Sequence, residues 1–85
     1  MEPEEMDLVE LVEKVTVDPS WYIQPDETIR ELGAGERGMV VHCRPGTPTL
    51  FDVEFLDPAS NQVRILATLS ASQLRVVGRD TLDIE

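Results

Sequence analysis

Little in this chain of 85 residues can carry chemistry. There is one cysteine, Cys43, so no disulfide can form within the chain. There is one histidine, His42, so zinc sites built from several Cys or His ligands are excluded. The two residues are adjacent in a stretch of strand character, so their side chains point to opposite faces. They cannot act on each other, and a cysteine nucleophile would have no second imidazole as its base. Cys43 reads as a core thiol and His42 as a surface or cross-strand residue. No apolar run approaches the ~20 residues that cross a bilayer. The first residues, Met-Glu-Pro-Glu-Glu-Met-Asp, are acidic where a secretory leader is basic, which predicts a cytoplasmic protein. Gly35-Glu36-Arg37-Gly38 lacks the Lys-Ser/Thr pair and the following helix of a phosphate loop. Asp52 and Glu54 share one face of a strand, where two carboxylates are a solvated face sooner than a cation site. Neither metal nor cofactor is expected. A chain this short makes one domain with a small core, too small for a long catalytic cleft. The expectation is a protein that is not an enzyme.

Positive charge is also scarce: seven Lys and Arg stand against seventeen Asp and Glu, a net charge of −10. Its placement matters. Residues 1–36 carry eleven acids against Lys14 and Arg30, giving −9; residues 37–79 carry Asp52, Glu54 and Asp57 against five arginines, giving +2; residues 80–85 add −3. Such a surface disfavours nucleic acid and anionic membranes and favours a basic protein partner, unless it serves solubility alone. Arg44, Arg64, Arg75 and Arg79 read either as an RNA-binding face or as cross-strand partners of Asp52, Glu54 and Asp57.

What the chain does have is strand-forming text. From Asp7 to Val17, Val9, Leu11, Val15 and Val17 alternate with polar or less apolar positions, as in a strand. Leu8, Leu11, Val12 and Val15 also fit helical spacing; the all-β remainder favours a strand. Residues 18–36 form a long connection interrupted by Pro19 and Pro25, within which Asp26 is expected to cap one helical turn. Strands are then expected at 38–44, 50–56, 63–69 and 75–77. A proline-rich turn (45–49), an Asp-Pro turn (57–62) and one 3₁₀-type turn capped by Ser70 separate them. Residues 1–6 read as a flexible acidic tail and 78–85 as a polar C-terminal tail, with the domain at 7–77. Five strands, a long first loop and a 3₁₀ turn before the last strand predict a small SH3-like five-stranded barrel, with the first loop in the RT-loop position.

Four stretches, in order, resemble the DUF4926 family of small bacterial proteins. They are Asp7, Val9 and Leu11; Gly35, Gly38, Val40 and Val41; Val53, Glu54, Phe55 and Asp57; and Leu69, Gln73, Leu74 and Arg75. The likeness covers residues 7–77, with a loop over 16–32 longer than the family's. It implies an SH3-like cytoplasmic protein with no assigned catalysis and an antitoxin or immunity-type role. The layout is also similar to small SH3-like subunits of larger enzymes and photosynthetic complexes, which implies an accessory or structural subunit as the alternative. Fold likeness by itself does not fix function.

The candidate partner-binding residues are in the first loop. Trp21 and Tyr22 are the chain's only Trp and Tyr. Each is either an apolar anchor for a basic or proline-containing segment or a lid over the end of the core. Asp18, Asp26, Glu27 and Glu31 surround them as steering charges. Homo-oligomers through edge strands are a further expectation.

Overall fold

The computed structural model describes residues 2–79. They form an all-β architecture. A five-stranded antiparallel sheet is built from β1 (Asp7–Leu11), β4 (Arg37–Arg44), β5 (Leu50–Leu56), β6 (Val63–Ser70) and β7 (Leu74–Arg79). A two-stranded sheet pairs β2 (Val15–Thr16) with β3 (Glu31–Leu32). The large sheet runs in the order β6-β5-β4-β1-β7. Among the described residues no ladder joins β6 to β7, so the sheet is open and does not make the closed cylinder that strand spacing suggests.

The expected single strand over 7–17 is divided. Glu13 and Lys14 interrupt the alternation, and the chain bends at Val12–Glu13 before resuming as β2. Val9, Leu11, Val15 and Val17 are nonetheless all buried, so one apolar set serves both sheets. The helical alternative fails on the same residues, because Leu8 and Val12, which its stripe would bury, are exposed. The helical turn expected after Pro25 is also absent. Glu27 Oε2 accepts from the Thr28 and Ile29 amides at 3.0 and 3.1 Å, and residues 27–30 form no regular element before β3. A 3₁₀ helix forms earlier instead, at Pro19–Trp21, with Asp18 accepting from Ser20 N at 2.9 Å. The 3₁₀ turn before the last strand is where the sequence places it, at Ala71–Gln73. Gln73 Oε1 accepts from Ser70 N there, at 3.0 Å.

Both predicted tails meet the sheet. Glu4 N donates to Asp7 Oδ2 at 2.8 Å, Met6 N donates to Val40 O at 2.7 Å, and Pro3 is buried. Gly78 and Arg79 extend β7; the rest of the predicted C-terminal tail, 80–85, lies outside the described residues.

The core lies on the inner face. Phe51, Val53 and Phe55 of β5 and Ile65, Ala67 and Leu69 of β6 are all buried, as strict alternation requires. Val40 and Leu32 join them from β4 and β3. Fully burying a side chain of this size contributes about 1.5–3 kcal/mol. In β4 the alternation shifts by one residue: Val40 pairs Val53, but His42 pairs Asp52, leaving Val41 as the extra residue of a bulge. At Gly38 there is no room between β4 and β5 for a side chain. A Cβ there would stand 2.5 Å from the Glu54 carbonyl oxygen and 2.8 Å from Val53 Cγ1. No helix among the described residues is long and apolar enough to cross a membrane.

Candidate functional site: the first loop and the sheet's outer face

The loop between β2 and β3 carries five of the six candidate residues and Glu31 opens β3, and the fold puts them to different uses. Trp21 ends the 3₁₀ helix and packs, half-buried, on the core. Tyr22 bridges to Ile65 at the free edge of β6, and its hydroxyl donates to Ile29 O at 2.8 Å. Both rings therefore close the core instead of standing clear of it. The next residue, Ile23, donates its amide to Arg64 O at 3.2 Å and leaves its side chain exposed. Together these contacts cover part of the β6 edge, which would otherwise present unpaired backbone groups.

Glu27 locks the loop. Its side chain is only 7% exposed, and its oxygens accept from Arg64 Nε at 2.9 Å and Nη2 at 2.5 Å. This geometry is a bidentate, charge-assisted pair. The Arg64 guanidinium and the Ile29 and Thr28 amides hold the Glu27 carboxyl down at about 2, against an ordinary 4.5, although burial opposes them. The same carboxylate raises Arg64 above its ordinary value. Glu27 is thus committed to its own fold and is not a free steering charge. Asp18 is likewise occupied as the cap of the 3₁₀ helix. Glu31 stands at the surface with Lys14 at 3.8 Å. Asp26 is exposed and has no polar partner among the described residues. With Gln24, Thr28, Asp57 and Arg64 it lines a shallow polar groove of about 320 Å³.

The committed Glu27 has a pH consequence. Its folded-state pKa lies below the unfolded one, so its contribution to stability is complete above about 4.5 and lost as pH falls through about 2. Glu10 is also held below the ordinary value, chiefly by its hydrogen bond from Arg75, and acts in the same direction. The wild-type melting temperature should fall by several degrees between pH 5 and 2. The Glu27→Gln variant should start lower at pH 5 and fall less; parallel thermal melts at both ends of the range check this.

Arg37, Arg44, Arg64 and Arg75 are engaged. Arg44 Nε donates to both oxygens of the buried Asp52, at 3.1 and 2.9 Å, and Thr68 Oγ1 donates to the same carboxylate at 2.9 Å. Glu10 lies between two guanidiniums, with Arg75 hydrogen-bonded to it and Arg37 Nε at 3.5 Å. Of the carboxylates that sequence patterning offered these arginines, only Asp52 is used. Glu10 and Glu27 take the others across 65 and 37 residues of sequence. By contrast Glu13, Asp26 and Glu54 have no cationic partner among the described residues.

His42 and Cys43 diverge as alternation requires. The histidine is exposed and lies 3.7 Å from Glu5, while the thiol packs on the core. Burial, with Glu5, Asp7 and Glu4 nearby, pushes the Cys43 thiol up, away from the thiolate form. Among the described residues no group of three or more His, Cys, Asp or Glu is placed to hold a metal.

One surface escaped the sequence reading. The outer face of the large sheet carries a groove of about 330 Å³ lined by the apolar Leu8, Met39, Leu56 and Pro58 together with Arg37 and Glu54. Leu8 and Leu56 are 43% and 45% exposed. The signal was available: each is an apolar residue at the polar phase of its own strand.

The chain matches no family model, no curated protein and no solved structure.

Proposed function

We propose that this protein is a non-catalytic interaction module of SH3-like design that receives a basic protein partner on its acidic side. The single observation that carries this reading is the asymmetry of charge pairing. Lys14, Arg37, Arg44, Arg64 and Arg75 each sit against a carboxylate of the same chain, which leaves the exposed Arg30 without one, whereas three acids, Glu13, Asp26 and Glu54, have no cationic partner among the described residues. The charge left to act outward is therefore negative. The strand order supports the SH3-like assignment: β4, β5 and β6 follow one another as a meander, β1 pairs β4 across the long first connection, and the last strand returns to pair with the first. In this reading Trp21 and Tyr22 shape the loop from within, and Asp26 with neighbouring unpaired acids steers the partner. An antitoxin or immunity-type protein, as the DUF4926 likeness implies, is the concrete form.

A second reading, an accessory subunit of a larger assembly, draws on the apolar groove of the outer face. RNA binding draws little support, since Arg44, Arg64 and Arg75 are all occupied by carboxylates.

The experiment is capture of partners from a lysate on the immobilised chain. A basic protein should bind at about 50 mM salt and be largely lost at about 500 mM, as the Debye length contracts. With that protein purified, Asp26→Lys should slow association several-fold and leave dissociation nearly unchanged. Captured proteins that are acidic, or binding indifferent to salt, would remove the charge-steering reading.

A further inference from the structure

We propose that the outer face of the five-stranded sheet is a homodimer interface, its apolar groove being filled by the same groove of a second copy.

The argument starts from register. Met39 of β4 lies directly opposite Glu54 of β5. Arg37 precedes Met39 by two residues and Leu56 follows Glu54 by two, so alternation puts all four on one face. All four line the same groove. In an antiparallel pair they occupy the corners of a four-sided patch. Met39 and Leu56 take one diagonal, Arg37 and Glu54 the other. A two-fold axis parallel to the sheet and just outside this face, running in the direction of the Met39–Leu56 diagonal, lays each apolar residue near its own counterpart. The same operation brings Glu54 of each copy over Arg37 of the other. An isologous interface requires this kind of self-complementary pattern.

The charges on this face are incomplete within one copy. Glu54 has no partner among the described residues. Arg37 shares the single carboxylate of Glu10 with Arg75, which leaves that trio with one positive charge in excess. The two deficits cancel across the two-fold axis. The chain's acidity is also locally balanced here: Glu54 and Arg37 line the groove, and Glu10 lies opposite Arg37 on one side and Arg75 on the other, within a chain of net charge −10. Two such chains repel one another in most approaches, and this one avoids the penalty. Leu8 and Pro58 extend the apolar surface beside the patch.

Sedimentation equilibrium of the full chain, over about 10–500 µM, tests the proposal. The wild type should approach about 19 kDa, twice the 9.5 kDa of one chain. Leu56→Asp, at an exposed position, should sediment as a folded monomer, its fold checked by circular dichroism. Glu54→Arg sets two arginines against each other across the axis and should also be monomeric. Arg37→Glu does the same with two acids, while Glu10 keeps Arg75. An equimolar mixture of the two charge variants should recover the dimer mass. A wild type that stays at 9.5 kDa throughout overturns the proposal. So does a dimer that Leu56→Asp leaves intact, which would indicate pairing through a strand edge. Failure of the folded charge variants to recover on mixing overturns it as well. If Arg37→Glu does not fold, Leu56→Asp and Glu54→Arg decide the matter alone.

Discussion

Replacing Gly38 by alanine is expected to lower stability by about 2–3 kcal/mol, and replacing it by valine by more. The added Cβ would lie 2.5 Å from the Glu54 carbonyl oxygen, a distance that real Cβ atoms do not tolerate. Because the obstacle is main chain, no side-chain rotation relieves it. Strand β4 would have to move away from β5, and β4 also carries the pairing to β1. For a domain of this size, each kcal/mol corresponds to about 4–8 °C in melting temperature. Gly38→Ala should therefore melt about 15 °C lower, and Gly38→Val should be largely unfolded at 37 °C. Gly33→Ala is the matched control. Its Cβ meets only the tip of the Glu36 side chain at 3.8 Å, so its melting temperature should stay within a few degrees of wild type. If Gly38→Ala melts like Gly33→Ala, the close approach of β4 to β5 is not a determinant of this fold.

Phe51→Ala should cost about 3–5 kcal/mol. Phe51 is among the largest fully buried side chains, 1% exposed, in the middle strand of the β6-β5-β4 meander. Its ladder neighbours are Cys43 on one side and Leu69 on the other. The ring thus fills space between two strand pairs, and its loss leaves a cavity that neither strand can close without breaking register. Domains have about 0.05–0.15 kcal/mol of stability per residue. The loss is therefore a large fraction of what 85 residues supply. Phe51→Leu should recover most of it. Urea titration is the measurement: the midpoint should fall sharply for alanine and slightly for leucine, with the slope unchanged. Equal midpoints for Phe51→Ala and wild type would show that the core is organised elsewhere. Leu56→Ala, at the exposed end of the same strand, should shift monomer stability by less than about 0.5 kcal/mol.

Much of this fold could be read before the structure was seen. Strands β4, β5 and β6, the 3₁₀ turn after Ser70 and the core face of β5 follow from alternation and turn chemistry, which act over a few residues. So does the divergence of His42 and Cys43. What could not be read depends on pairs distant in sequence. Nothing local marks Glu27 as the partner of Arg64, or Glu10 as the shared partner of Arg37 and Arg75. Read alone, Glu27 is one more loop acid and suits a steering role; only when the loop lies on β6 does it become a lock. The break at Glu13–Lys14 was visible, but alternation on both sides of it disguised two strands as one. In the loop, the demand of Glu27 for nearby amides competes with the helical turn that Asp26 is expected to cap, and the turn does not form. An open sheet and a closed barrel share the same alternation, so that distinction was out of reach as well.

The strand order also sets a timetable. β1 is made first, yet its place is between β4 and β7, and its contact from Glu10 to Arg75 spans 65 residues. A chain emerging from a ribosome can assemble the β4-β5-β6 meander while one side of β1 still waits for a neighbour. That side stays bare until residues 74–79 are free to dock. During synthesis the backbone of β1 is thus available to other chains, and premature termination before Leu74 would make that availability permanent. Such a fragment should associate with others of its kind, whereas the full chain covers this edge with its own last strand.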